Sequence, residues 1–145
     1  MKNITYMVLI PVLLITLLVI YFIGKNSGKA KALAEGTNTL ENEIDNKALS
    51  YPLTIYKNMA DALYVAMEGL GTDYDTVKNN LLKINNQSDF FELEKAFGNR
   101  AAYTWLWVYT PFAGTLIQWF SDELNDDQKA EITVLMAAKN ITITI

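Results

Sequence analysis

Residues 51–73 read YPLTIYKNMADALYVAMEGLGTD, and the fold follows from how that stretch starts, repeats and stops. Pro52 suits the first turn of a helix, where its missing N–H is no loss. Ile55, Met59, Leu63, Ala66 and Leu70 recur at steps of three and four, the spacing of one buried helical face. Gly69 and Gly71 then stop the helix, because glycine accepts the backbone angles a tight corner needs. Thr72 is placed to cap the next helix, with Asp73 and Asp75 in a first turn whose dipole favours acids. The stretch therefore reads as helix, corner, helix.

The same grammar continues downstream. Val77, Leu81 and Ile84 mark a second amphipathic face that Asn85 and Asn86 end. Ser88 can cap a third helix, with Phe90, Leu93 and Phe97 on its core side and Glu92, Glu94 and Lys95 on the other; Gly98 and Asn99 close it. Leu116, Ile117, Trp119 and Phe120 mark a fourth helix ending near Leu124. Asn125 caps the last, and Gln128 three residues on completes a capping box, with Ile132, Leu135 and Met136 facing inward. The tail 141–145, ITITI, alternates like a strand but has no partner strand in the sequence. The expected body is all-α, five short helices around one core over residues 51–145.

Ahead of it, residues 4–23 read ITYMVLIPVLLITLLVIYFI, twenty residues without a charge. At about 1.5 Å per residue the run spans roughly the 30 Å of a bilayer core. It is apolar all round, as a lipid-facing helix must be. Pro11 is tolerated in such a setting, and Tyr6 and Tyr21 stand where amphipathic rings prefer the headgroups. A cleaved signal peptide is the competing reading, with Lys2 as its charged start and Ala30-Lys31-Ala32 as a cleavage pattern. The run exceeds the roughly 7–15 residues of a secretory core, which favours the anchor. Residues 1–24 are thus expected as a single-pass transmembrane anchor and 25–50 as a polar stalk, helical or flexible. Lys25, Lys29 and Lys31 after the span slightly favour a cytoplasmic body over an outward one.

Composition narrows the function classes. Cysteine and histidine are absent, which removes disulfides, thiolate metal sites and the commonest general base. Residues 51–145 carry seven Lys or Arg against twelve acids, a balance that disfavours nucleic acid. Glu92 and Glu94, or Asp122 and Glu123, diverge on a helix and form no convergent acid pair. The turn at residues 69–72 lacks the lysine and length of a phosphate-binding loop. A non-enzymatic binding or structural module is expected, held to membrane lipid by its anchor and serving a protein partner. Residues 101–112, AAYTWLWVYTPF, hold Tyr103, Trp105, Trp107, Tyr109 and Phe112 and no charge. They read as extra core or as a surface that docks on the bilayer or a partner.

Residues 66–73, AMEGLGTD, resemble the signature of an annexin repeat, where one helix ends at Met-x-Gly-x-Gly-Thr and an acidic turn opens the next. The likeness extends along the chain. Residues 73–84 resemble the second repeat helix, 90–100 with its AFGNR close the third, 115–124 with its SDEL close the fourth, and 126–136 the fifth. It covers about residues 56–140, one repeat where the family joins four. The resemblance implies a five-helix repeat whose turn binds calcium through the carbonyls of Met67, Gly69 and Gly71. The carboxylate would be that of Glu123, with water or a lipid phosphate completing the shell. Such oxygens suit a hard cation, and the glycines let them point outward. Calcium-dependent binding of anionic phospholipid or another anion is accordingly the alternative function. Three features depart from the family. Glu68 replaces a usually basic residue, the connection before the fourth helix is longer, and Glu123 lies 54 positions after Gly69. A plain helix corner, with Thr72 as cap and a solvated Glu123, fits the same residues.

Overall fold

The computed structural model describes residues 40–69, 71–102 and 113–145. The chain divides into residues 1–36 and a compact unit from Thr37 to Ile145, and the second is described here. The expected anchor, most of the stalk, and Tyr103, Trp105, Trp107, Tyr109 and Phe112 lie outside the described residues. Among the described residues no helix is long and apolar enough to cross a membrane.

The unit is mostly helical. α1 spans Leu53–Met67, α2 Tyr74–Leu81, α3 Gln87–Phe97, α4 Leu116–Glu123 and α5 Asp126–Ala137, with residues 40–43 also helical. Two short strands, β1 at Arg100–Ala101 and β2 at Ala113–Gly114, stand between α3 and α4. α1 is the central element and packs on both α2 and α3, while α5 lies against α2 and α4 against α3. Trp119, Tyr56, Phe90, Phe120, Leu63 and Leu81 are fully enclosed between them.

Several local expectations on α1 and α2 shift by one residue. On α1 the exposed residue is Ile55, and the buried one is Tyr56. A tyrosine can go inside where its hydroxyl finds an acceptor, and that of Tyr56 donates to Asp89, itself fully buried. Met59, Ala60, Leu63, Ala66 and Met67 complete the stripe. Pro52 sits at the N-cap, one position before the first turn. α2 is capped by Asp73 in place of Thr72. Its two carboxylate oxygens accept from the Thr76 N–H at 3.1 Å and the Thr76 hydroxyl at 2.7 Å. A charged acceptor at a helix N-terminus outcompetes a hydroxyl.

α3 is capped by Asn86, whose oxygen accepts from the Asp89 N–H at 2.9 Å. Ser88 lies inside the first turn and accepts instead from the Asp45 N–H at 3.1 Å. Glu92, expected on the outer face, is buried. One of its oxygens has no hydrogen-bond partner and stands 3.6 Å from Lys95 Nζ, one turn along. Phe90, Leu93 and Phe97 do face the core, and so do Val77, Leu81 and Ile84. The capping box of Asn125 and Gln128 opens α5 as its spacing requires.

The tail shows how an alternating segment can be used without a sheet. Ile141 is buried, Ile143 and Ile145 pack on the core, and Thr142 and Thr144 face water. Gln87 stands in for a partner strand. Its oxygen accepts from the Thr142 N–H at 2.7 Å and its amide donates to the Thr142 carbonyl at 3.3 Å.

The long connection before α4 is closed at its base. β1 and β2 pair antiparallel, Arg100 with Gly114 and Ala101 with Ala113. Trp119 Nε1 donates to the Arg100 carbonyl at 3.0 Å, and the Tyr64 hydroxyl donates to that of Ala101 at 2.9 Å. The Arg100 guanidinium lies 5.1 Å from the Tyr64 ring centre and 4.9 Å from that of Phe97, and it donates to Asp61 at 2.7 Å. This clamp returns the chain to the body at α4 whatever the length of the connection.

Candidate functional site at the first helix corner

α1 ends at Met67, and the N–H of Glu68 donates to the Tyr64 carbonyl at 2.8 Å to close the last turn. Gly69 and Gly71 then take φ of +109° and +86°, which L side chains rarely adopt. Space around each is open, so the backbone angle alone calls for glycine. The Asp73 N–H reaches back to the Ala66 carbonyl at 2.8 Å and fastens the two sides of the corner.

The structure brings Thr72 and Glu123 together across 51 positions of sequence. Thr72 Oγ1 lies 3.0 Å from Glu123 Oε2 and 3.3 Å from the Glu123 carbonyl. Glu123 is the last residue of α4 and is half-buried. Burial pushes its carboxyl above the usual range, the neighbouring Asp122 charge adds to that, and the Thr72 hydroxyl opposes it. The clamp at β1 and β2 is what makes this meeting possible, because it cancels the extra length before α4.

Of the residues singled out in the sequence, Met67, Gly69 and Gly71 line this corner and Glu123 stands beside its exit at Thr72. The Met67 side chain is fully buried, so only its carbonyl is on offer. Among the described residues no hydrogen-bond donor sits on the carbonyls of Met67, Gly69 or Gly71. Glu68 is turned aside, its Oε1 lying 3.1 Å from the Tyr64 hydroxyl oxygen. The oxygens in and next to this corner, carbonyls and the carboxylate at Thr72, are hard donors that suit calcium better than a soft metal. Among the described residues no group of three or more acids converges on a metal position. A cation here would lean on carbonyls and water, which makes for weak binding.

Sequence reasoning missed a second polar centre. Asp89 is fully buried and accepts from the Ser50 N–H at 2.8 Å, from the Asn85 N–H at 3.0 Å and from the Tyr56 hydroxyl. Burial alone raises a carboxyl, but these donors outweigh it and hold the Asp89 carboxyl below its usual range. In turn burial, reinforced by the Asp89 carboxylate, pushes the Tyr56 phenol up. Its position in the first turn of a helix gave an ordinary reason for an acid there, so nothing local marked it. No protein-family model, curated protein or solved structure matches the chain.

Proposed function

We propose that the chain is a membrane-anchored, non-enzymatic helical module that binds a partner or shapes a structure at the membrane. The observation that carries this reading is the charge-free run at residues 4–23 ahead of a body that closes its own apolar core. A body with such a core needs no lipid for folding, so the run has the role of a tether. Residues 103–112 supply the contact surface, with Tyr103, Trp105, Trp107, Tyr109 and Phe112 suited to a bilayer surface or a protein face. Alkaline carbonate washing of membranes from cells making the full chain tests the tether. Retention in the pellet is expected; a soluble product starting near Leu33 overturns it.

A second reading is favoured by the contact of Thr72 with Glu123 at the glycine corner. In this reading the body is a single annexin-like repeat, and the carbonyls of Met67, Gly69 and Gly71 with Glu123 hold calcium against an anionic headgroup. The order of helices α1 to α5 and the two positive-φ glycines support it. The tether would keep the local lipid concentration high, so a weak site suffices. Calcium at about 100 times its Kd raises stability by about 2.7 kcal/mol. Melting curves should move up with millimolar calcium in the native chain and stay put in Glu123→Ala. No movement in the native chain removes the reading.

A further inference from the structure

Residues 44–50 are fastened to the N-terminal half of α3 mainly by polar contacts, and the chain is anchored in the core again at Tyr51, which packs edge-on against Tyr56. The Asp45 N–H donates to Ser88 Oγ at 3.1 Å, Asn86 Nδ2 donates to the Ala48 carbonyl at 2.8 Å, and the Ser50 N–H donates to Asp89 Oδ1 at 2.8 Å. Just upstream, Glu41 reaches Lys95 at 3.5 Å. Only Ile44 is a buried apolar group in this stretch, with Leu49 partly covered. Asn46, Lys47 and Ala48 are exposed.

Hydrogen bonds exchanged for water lose only part of their worth, whereas buried apolar area loses its whole contribution. The one to the Asp89 carboxylate holds more firmly than the two neutral ones. A segment held by hydrogen bonds and one buried isoleucine opens more readily than helices locked around Trp119 and Leu63. The body is also built to survive the opening. When Ser50 leaves, Asp89 keeps the Asn85 N–H and the Tyr56 hydroxyl.

We infer that residues 44–50 form a releasable strap that sets the reach of the body, with Tyr51 as its fixed end. Docked, the strap holds the preceding helical turn at residues 40–43 beside α3. Released, it adds up to about 25 Å of extended chain between the body and whatever precedes it. The change of height above a membrane rests on the tether reading; the release itself does not.

Native-state amide hydrogen exchange on the full chain in detergent micelles tests the strap. The amides of Asp45 and Ser50 should exchange about tenfold or more faster than those of Leu63 and Leu93. The double variant Ile44→Ser, Ser88→Ala should speed Asp45 and Ser50 further and leave Leu63 and Leu93 unchanged. Four amides sharing one rate in the native chain, or all four speeding together in the variant, would show one cooperative unit and overturn the strap. A chain that passes this test yet washes off membranes in carbonate keeps the strap and loses the tether.

Discussion

Two corners join three consecutive helices in this body, and they treat their backbone oxygens in opposite ways. The corner between α2 and α3 is filled from within. Lys139 Nζ donates to the Leu82 and Ile84 carbonyls, each at 2.6 Å, and the Tyr51 hydroxyl donates to the Lys83 carbonyl at 3.1 Å. The corner between α1 and α2 turns on two glycines, and among the described residues its carbonyls at Met67, Gly69 and Gly71 receive no donor. Where the chain needs a corner only for architecture, it supplies its own cation. At the glycine corner a half-buried carboxylate, that of Glu123, meets Thr72 at the exit instead.

The comparison can be broken hardest at Asp89, which fastens the filled corner through Asn85. Asp89→Ala would strand the buried Tyr56 hydroxyl and two backbone N–H groups, so a loss of about 3–5 kcal/mol is expected in urea unfolding. The same carboxyl gives an acid signature. Its pKa is depressed in the folded state, so its contribution is present above about 3.8 and disappears as pH falls through the lower folded value. Acid unfolding below pH 4 should therefore be steeper in the native chain than in Asp89→Asn.

Lys139→Met empties the filled corner while keeping the aliphatic stem. A loss of about 1–2 kcal/mol is expected, since the ammonium serves two carbonyls but is partly in water. A melting temperature equal to that of the native chain would show that the internal cation adds nothing, and the contrast would fail. At the open corner, Gly71→Ala meets no steric obstacle, so only the positive φ counts. About 1–2 kcal/mol should be lost, as read by thermal unfolding.

The smallest effect is expected at Thr72→Val, which keeps the shape and removes the hydroxyl. Stability should fall by about 0.5–1.5 kcal/mol. The Glu123 carboxyl should titrate higher still, because the hydroxyl that lowers it is gone. Carbon-13 NMR of the carboxyl through a pH series reads this directly, and an unchanged titration would show that the two groups do not meet in solution.

What could be read from the sequence was what depends on neighbours three or four residues away. The Asn125 and Gln128 capping box and the Val77, Leu81, Ile84 face are of that kind. Most of the misreadings involve partners far along the chain. Tyr56 displaces Ile55 from the core face because Asp89, 33 positions on, accepts its hydroxyl. Thr72 gives up the cap to Asp73 and turns to Glu123, 51 positions away. Ser88 is taken by Asp45, 43 positions back. The glycines of the candidate site could be named from their spacing. That Glu123 would arrive beside them depended on β1 pairing with β2, two residues on each side with no sequence pattern to mark them.

That two-residue pairing has an evolutionary side. With Ala101 and Ala113 already set against each other, the ends of the span between them do not move when its length or wording does. Doubling a loop closed in this way costs only about 0.6 kcal/mol. Insertions or deletions between Ala101 and Ala113 are thus cheap in closure entropy while the pairing holds, which makes this connection a place where length can vary among descendants of the protein.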